Sequence, residues 1–291
     1  MTRKKNKVLL IVLGVALALY SLLLILMLYT TVTVSLKSLF EFQTNLFGIP
    51  RKPDFSNYKK AFDNMYVTIP WGAYNRNVGL AEMLVNSVLF AVGCAFTSTF
   101  VPCVVAYVVA KVNTRFNKVL YAIVTVTLVL QIVGATASEI EVSRTFLLYD
   151  SLIGVWILRG SFLGFNFLVF YATFKNLSNS YAEAAYIDGA GYFRVMFGIM
   201  IPLVKTTFFA VFLMQFIAFW NDYQTPMLFL PSHPTAAVGL FKFTFASNTN
   251  AGSTMPTRMA GCMILFIPIF AVFIAFKNVF IGNLTVGGLK G

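Results

Sequence analysis

The sequence predicts an all-helical, polytopic membrane protein, and three observations carry that reading. Of its 291 residues, 58% are hydrophobic and only 11% are charged, whereas about a quarter of residues are charged in a soluble domain. Mean hydropathy is +0.79. The apolar runs are about 20 residues long, the length of a spanning helix, not the roughly 10-residue alternating segments of a barrel strand. The bilayer core admits only helices and closed barrels, because backbone groups find no water there. The runs therefore read as helices. This composition excludes a disordered chain, a collagen-like fibre and an ordinary cytosolic enzyme.

Six spans are expected. The first, 7–34, follows Arg3, Lys4, Lys5 and Lys7. Its apolar part is longer than a signal peptide's and no small-residue cleavage site follows, so it reads as an uncleaved anchor. A polar outer loop, 35–85, is broken by Pro50, Pro53 and Pro70. The second span is 86–110, with Lys111, Arg115 and Lys118 after it, and the third is 119–139. A connection with Glu141, Arg144 and Asp150 leads to the fourth, 152–174, which ends at Lys175. A polar loop, 176–202, precedes the fifth span, 203–223. A second outer loop, 224–256, holds His233 beside Pro231 and Pro234, and His233 reads as an ordinary loop residue. The sixth span is 259–279, with a kink expected at Pro268. The whole chain, 1–291, reads as one transmembrane domain.

The 22 Lys and Arg exceed the 10 Asp and Glu. Cytoplasmic loops accumulate such residues, so the basic N-terminus and the 111–118 connection place both termini in the cytoplasm. Nucleic acid is disfavoured: the basic clusters are short and lack stacking aromatics in a polar groove. Cys94 and Cys103 lie nine residues apart on one helix, roughly 13 Å, too far to bridge. With Cys262 they read as small packing residues. No zinc or iron–sulfur spacing is present, so no metal is expected. No Walker motif appears, so any uphill transport needs a partner's ATP or a coupled ion.

The 180–202 stretch reads SYAEAAYIDGAGYFRVMFGIMIP. Ser180 with Glu183 has the spacing of a capping box. Ala182, Ala184 and Ala185 favour helix and leave a low surface suited to docking in a partner's groove. Gly189-Ala190-Gly191 allows a sharp turn, and a second helix is expected from Tyr192 toward Pro202. A plainer reading makes Glu183 only a cap and the loop only a connection.

The spacing Glu183-Ala184-Ala185, Gly189, Ile199, Ile201-Pro202 resembles the EAA signature of ABC importer membrane subunits, with Ile201 where leucine is commoner. Asn86-Ser87, Ala106-Tyr107, Lys111, Asp188-Gly189-Ala190, Trp220-Asn221-Asp222 and the ending Val286-Gly287-Gly288-Leu289-Lys290-Gly291 are similar to the maltose-type carbohydrate permeases within that family. The resemblance covers most of 80–291. One departure is that QIVGATASEIEVSRTFLLYD, around the third span's outer end, lacks the branch's usual prolines.

The resemblance implies a type I importer fold in which 180–191 is a cytoplasmic coupling helix for an ATPase. Glu183, Ala184, Ala185, Asp188, Gly189 and Gly191 are then coupling residues. Gly287, Gly288 and Lys290 belong to a tail reaching between ATPase subunits. The implied partners are a second homologous permease, an ATP-binding-cassette ATPase dimer, an extracellular solute-binding protein, a sugar and the lipid of a bacterial plasma membrane. ATP and Mg would be bound by the ATPase, leaving this chain without cofactor or catalytic residue.

Candidate path residues are Arg159, Asn221, Asp222, Gln131 and Gln215. A charge in lipid costs about 2.5–3.5 kcal/mol on insertion scales, so Arg159 is expected to face protein or water. It reads either as a path-lining donor or as the structural partner of Glu139, Glu141 or Asp150. Trp220 and Tyr223 flank Asn221 and Asp222 and could supply sugar-binding faces or an interfacial aromatic belt. The alternatives in class are an ABC permease for a peptide or anion, an ion-coupled secondary transporter, and a membrane scaffold or sensor. Scarce intramembrane acids and no visible repeat disfavour the secondary transporter.

Overall fold

A computed structural model describes residues 2–112, 114–130, 134–245 and 253–284. Fifteen helices and one hairpin follow one another among them. They are α1 (Thr2–Ser35), α2 (Leu39–Thr44), α3 (Ser56–Asn64), strands β1 (Tyr66–Trp71) and β2 (Tyr74–Gly79), α4 (Leu80–Lys111), α5 (Arg115–Val129), α6 (Ala135–Thr145), α7 (Leu152–Arg159) and α8 (Phe165–Asn176). Then come α9 (Ser180–Ile187), α10 (Tyr192–Val195), a π-helical turn (Met196–Met200), α11 (Ile201–Leu203), α12 (Lys205–Asn221), α13 (Gln224–Phe229), α14 (Ala236–Phe245) and α15 (Met255–Leu284). The chain divides into two compact units, 1–67 with 239–268 and 68–238 with 269–291.

Among the described residues, Leu10–Ser35, Leu80–Lys111 and Met255–Lys277 are each long and apolar enough to cross a membrane. Tyr192–Leu203 with Lys205–Asn221, bent by 73°, forms a fourth candidate if it counts as one broken span. Hydropathy placed the second span's start at residue 86, but the helix begins at Leu80. Glu82 in its first turn favours the positive helix end and pairs with Arg76 at 2.7 Å, so a charge that reads as loop is helical. The expected 119–139 span is interrupted. α5 stops at Val129, and α6 starts after Gly134, whose φ of +85° suits glycine. The expected 152–174 span is two helices, α7 capped by Gly160 and α8 preceded by Gly164 at φ +145°.

In the first unit, α1 is exposed along Leu10–Leu28, and its last turn is covered. Asn57 on α3 donates to the carbonyls of Ser35 (3.0 Å) and Lys37 (2.8 Å), and the Ser35 and Tyr58 hydroxyls share a bond of 2.8 Å.

In the second unit, α4 is the axis. α12, α8 and α7 pack on it because one side of α4 is built from small residues. Ala91, Cys94, Ala95 and Ser98 are buried there, and the Trp156 indole of α7 occupies the space a side chain at Gly93 would need. Pro102 lies inside α4 and has no N–H to offer the Ser98 carbonyl, its usual helical acceptor. Asn166 on α8 replaces that donor: its Nδ2 reaches the Ser98 carbonyl at 3.1 Å. Asn86 and Ser87 do not open the helix. They reach sideways, Asn86 donating to the Pro234 carbonyl (3.1 Å) and Ser87 Oγ accepting from the Ala236 N–H (2.8 Å). Pro268 lies inside α15. Cys94 and Cys103 are buried and free, and Cys262 is free and half-buried.

Candidate functional site

The helix–turn–helix at 180–203 is built locally. Ser180 is the first helical residue, and Asn179, the cap position, has helical backbone angles and makes no side-chain cap bond. The capping box read between Ser180 and Glu183 is therefore not formed. Ser178 takes the hydroxyl's part, accepting from the Ser180 N–H at 3.2 Å, so the side-chain acceptor stands two residues earlier than the motif suggested. The helix ends in a Schellman motif. The Ala190 N–H donates to the Ala185 carbonyl (2.9 Å) and the Gly189 N–H to the Tyr186 carbonyl (3.0 Å), with Gly189 at φ +80°. Tyr186 and Tyr192 meet edge to face across the turn, 5.4 Å between centroids.

This element leans on the core through one side only. Ala185 is buried in a cluster with Tyr107, Val195 and Met196, and Ala182 and Ala190 pack at its edge. Glu183, Ala184, Asp188, Gly189 and Gly191 are exposed. Lys111 ties the element to the end of α4. Its Nζ donates to the Leu177 carbonyl (2.7 Å) and to Asn179 Oδ1 (2.8 Å), satisfying the connection between α8 and α9. A groove of about 610 Å³ opens beside it, lined by Tyr107, Lys111, Ala182, Glu183, Tyr186 and Phe193.

The path candidates separate into two groups. Arg159, at the end of α7, lies 3.7 Å from Glu139 and 3.5 Å from the Thr225 hydroxyl, with its guanidinium 5.5 Å from the centre of the Phe229 ring. Asp222 is on the other side of Thr225. Its Oδ1 accepts from the N–H groups of Gln224 (2.9 Å) and Thr225 (3.0 Å), starting α13. Both charges are thus engaged in holding 139, 159 and 222–229 together. Asn221 is exposed and donates to the Ile217 carbonyl of its own helix (2.8 Å). Trp220 is buried against Phe216, 5.8 Å between ring centres.

The second group centres on Gln215, which donates to Asn166 Oδ1 at 3.3 Å. Asn166 also lines a groove of about 540 Å³ between α8 and α12, with Thr173, Asn176, Thr207 and Met214. Sequence reading missed Asn166; the available signal was Pro102, which obliges something to serve the Ser98 carbonyl. Asp150, read as a possible partner of Arg159, is engaged elsewhere: it adopts φ +56°, accepts from the Ser232 N–H (3.0 Å) and stands 3.7 Å from His233. Gln131, Gly287, Gly288 and Lys290 lie outside the described residues. Among the described residues no cluster of metal-ligating side chains converges.

The Arg159–Glu139 pair is only partly buried, 28% and 47% exposed at the side chains. Such pairs contribute about 0–1 kcal/mol. Arg159→Gln is therefore expected to leave the amount of chain in the membrane near normal. Uptake then reports whether the residue serves the solute: normal assembly with lost uptake assigns it to the path, and failed assembly assigns it to structure.

These features define a class: a multi-pass membrane protein whose helical core carries a short helix–turn–helix with one exposed face. Residues 90–285 match the family described as binding-protein-dependent transport system inner membrane component, and the chain belongs to that family of transporter subunits. It is 26% identical over 287 residues to the probable starch degradation products transport system permease protein AmyC of Thermoanaerobacterium thermosulfurigenes, covering 98% of this chain and 97% of that one. It is 22% identical over 270 residues to the melibiose/raffinose/stachyose import permease protein MelC of Bacillus subtilis, covering 90% of each. It is 28% identical over 215 residues to the sn-glycerol-3-phosphate transport system permease protein UgpE of Yersinia pestis, covering 73% and 75%. The fold is similar to that of a chain in a bacterial ABC transporter involved in the import of the acidic polysaccharide alginate. The TM-score is 0.73 at 22% identity, covering 94% of this chain and 97% of that one.

Proposed function

We propose that this chain is one membrane subunit of an ATP-driven importer for a sugar or oligosaccharide. The observation that carries this is full-length similarity to permeases named for oligosaccharides, in a chain that also holds an exposed Glu183 face beside the Gly189 turn. Six spans, with both termini and 176–202 in the cytoplasm of a bacterial plasma membrane, complete the reading. The ATPase dimer docks on Glu183, Ala184, Asp188, Gly189 and Gly191, while Ala185 anchors the loop to its own core. A tail including Gly287, Gly288 and Lys290 reaches the same ATPase, which binds ATP and Mg and performs the hydrolysis. A second, homologous permease completes the path, and an extracellular binding protein delivers the solute. Gln215, Asn166 and the α8–α12 groove form this chain's share of the path. Closure of the ATPase dimer pushes α9, and the spans alternate access between the two sides.

The glycerol-phosphate relatives keep an anionic solute in view. Affinity purification of the tagged chain from its native host tests the assembly. A second permease and an ATPase are expected with the wild type, and the ATPase alone is expected to be lost with Glu183→Lys. Equal ATPase recovery from both forms would overturn the docking role. Uptake of labelled oligosaccharides against labelled glycerol phosphate by the same strains decides the solute class.

A further inference from the structure

The uncharged stretch of α1 runs from Val8 to the helix end at Ser35; its strongly apolar part, Val8–Leu28, is 21 residues, and Thr30, Thr31, Thr33 and Ser35 follow. At 1.5 Å per residue the apolar part reaches about 31 Å, the thickness of a bilayer's hydrocarbon core. Tyr29 comes directly after it, where interfacial aromatics concentrate.

The chain does not leave this boundary when α1 ends. The Tyr29 hydroxyl donates to the Phe47 carbonyl at 3.4 Å. Tyr29 is six residues before Ser35, about 9 Å along the helix, so the chain at Phe47 has folded back alongside the last turns of α1. Lys37 fixes this fold-back. It is fully buried, and its Nζ donates to the carbonyls of Asn45 (2.6 Å) and Leu46 (3.0 Å). Asn45 Oδ1 accepts from the Gly48 N–H at 2.9 Å. The carbonyls of 45–47 and the Gly48 N–H are thus served from within the protein, which lowers the cost of placing them against lipid.

The side chains of this segment point the other way. Phe40 is 76% exposed, Phe47 66% and Ile49 73%, and Leu39 and Leu46 are exposed as well. Arg51 and Lys52, both exposed, follow after Pro50. Aromatic and aliphatic side chains flanked by basic ones are the composition of a segment lying in a membrane interface.

We infer that Leu39–Ile49 is an interfacial anchor whose Phe40, Phe47 and Ile49 enter the same leaflet boundary that Tyr29 marks. The occupant of this apolar patch is lipid. The exposed apolar surface of α1 runs up to Tyr29, and Phe47 lies directly beside that residue, so one continuous surface meets one medium. The anchor fixes the depth of α1 and sets the height of the α3 cap above it.

Tryptophan quenching tests this in the full-length chain, purified with its partners and placed in nanodiscs. The difference in emission between Phe47→Trp and the parent isolates the new indole from Trp71, Trp156 and Trp220. Nanodiscs of lipid brominated on the acyl chains should remove most of that added, blue-shifted emission, and iodide should leave it. Loss to iodide without loss to brominated lipid would put the segment in water and overturn the inference. Insensitivity to both would mean that another protein covers it, which overturns the inference equally. Ile49→Trp should repeat the result and carries the test if the first variant is poorly expressed.

Discussion

Gly189→Val should abolish solute uptake while leaving the chain in the membrane. At φ +80° the backbone is in the left-handed region, and a side chain there would meet nothing within 4 Å, so crowding is not the issue. The strain is in the backbone itself, about 1–2 kcal/mol for an ordinary L residue and more for a β-branched one. The turn relieves that strain by giving up the two bonds from Ala190 and Gly189 that close α9. α9 then swings relative to α10, the Tyr186–Tyr192 contact opens, and Glu183 no longer faces the same direction. The change adjoins only the Tyr107 end of α4, and the small-residue face at Ala91, Cys94, Ala95 and Ser98 belongs to other packing, so membrane abundance should be near normal. Gly189→Asn is the control, because asparagine tolerates this conformation and should retain most of the uptake. Transport by the valine variant at the wild-type rate would show that the turn's geometry has no part in coupling.

Asn166→Leu should lower stability by about 0.6–2 kcal/mol, the span from mutant cycles in a membrane protein to model peptides for interhelical hydrogen bonds. The substitution leaves two groups unserved, the Ser98 carbonyl and the Gln215 amide. Its origin in Pro102 makes the prediction specific. In a Pro102→Ala background the helix supplies its own donor to Ser98, so the same Asn166→Leu change should have a smaller effect. The thermal midpoint of the detergent-purified complex measures all four members of the cycle. An equal drop in both backgrounds would mean that Asn166 acts through Gln215 or through packing rather than by replacing the missing N–H.

Where lipid or a packed core sees only side-chain hydrophobicity, the sequence was a sufficient guide. The long apolar stretches of α1, α4 and α15 and the glycine at 189 required nothing beyond local composition and backbone freedom. The ends of α5 at Val129 and of α7 at Arg159 were not visible in the same way. Leu163, Phe165 and Phe167 keep hydropathy high while Gly164 turns the backbone, and hydropathy carries no information about φ. Ser180 and Glu183 had the spacing of a reciprocal cap, but Ser178 takes the Ser180 N–H and the Asn179 carbonyl takes the Glu183 N–H. The candidate site was legible as a loop and not as a network. That Arg159 would meet Glu139, or that Thr225 would stand between Arg159 and Asp222, depends on segments 20 to 66 residues apart in the chain. Asn166 was legible in principle, since an interior proline always leaves a carbonyl to be served, but the donor's address is set by tertiary packing.

The 73° corner at Val204 bears on how force would travel. Val204 is buried, Pro202 stiffens the arm before it, and Met196 and Met200 wedge the π-helical turn into the core. Two rigid arms meeting at nearly a right angle make a bell crank. A thrust along the Tyr192–Leu203 arm arrives at α12 almost entirely as a sideways displacement, with little push along its axis. A load at α9 would therefore swing α12 across the α8–α12 groove rather than drive it through the bilayer. The groove's width, not the depth of the helix, would be the coordinate that such a load controls.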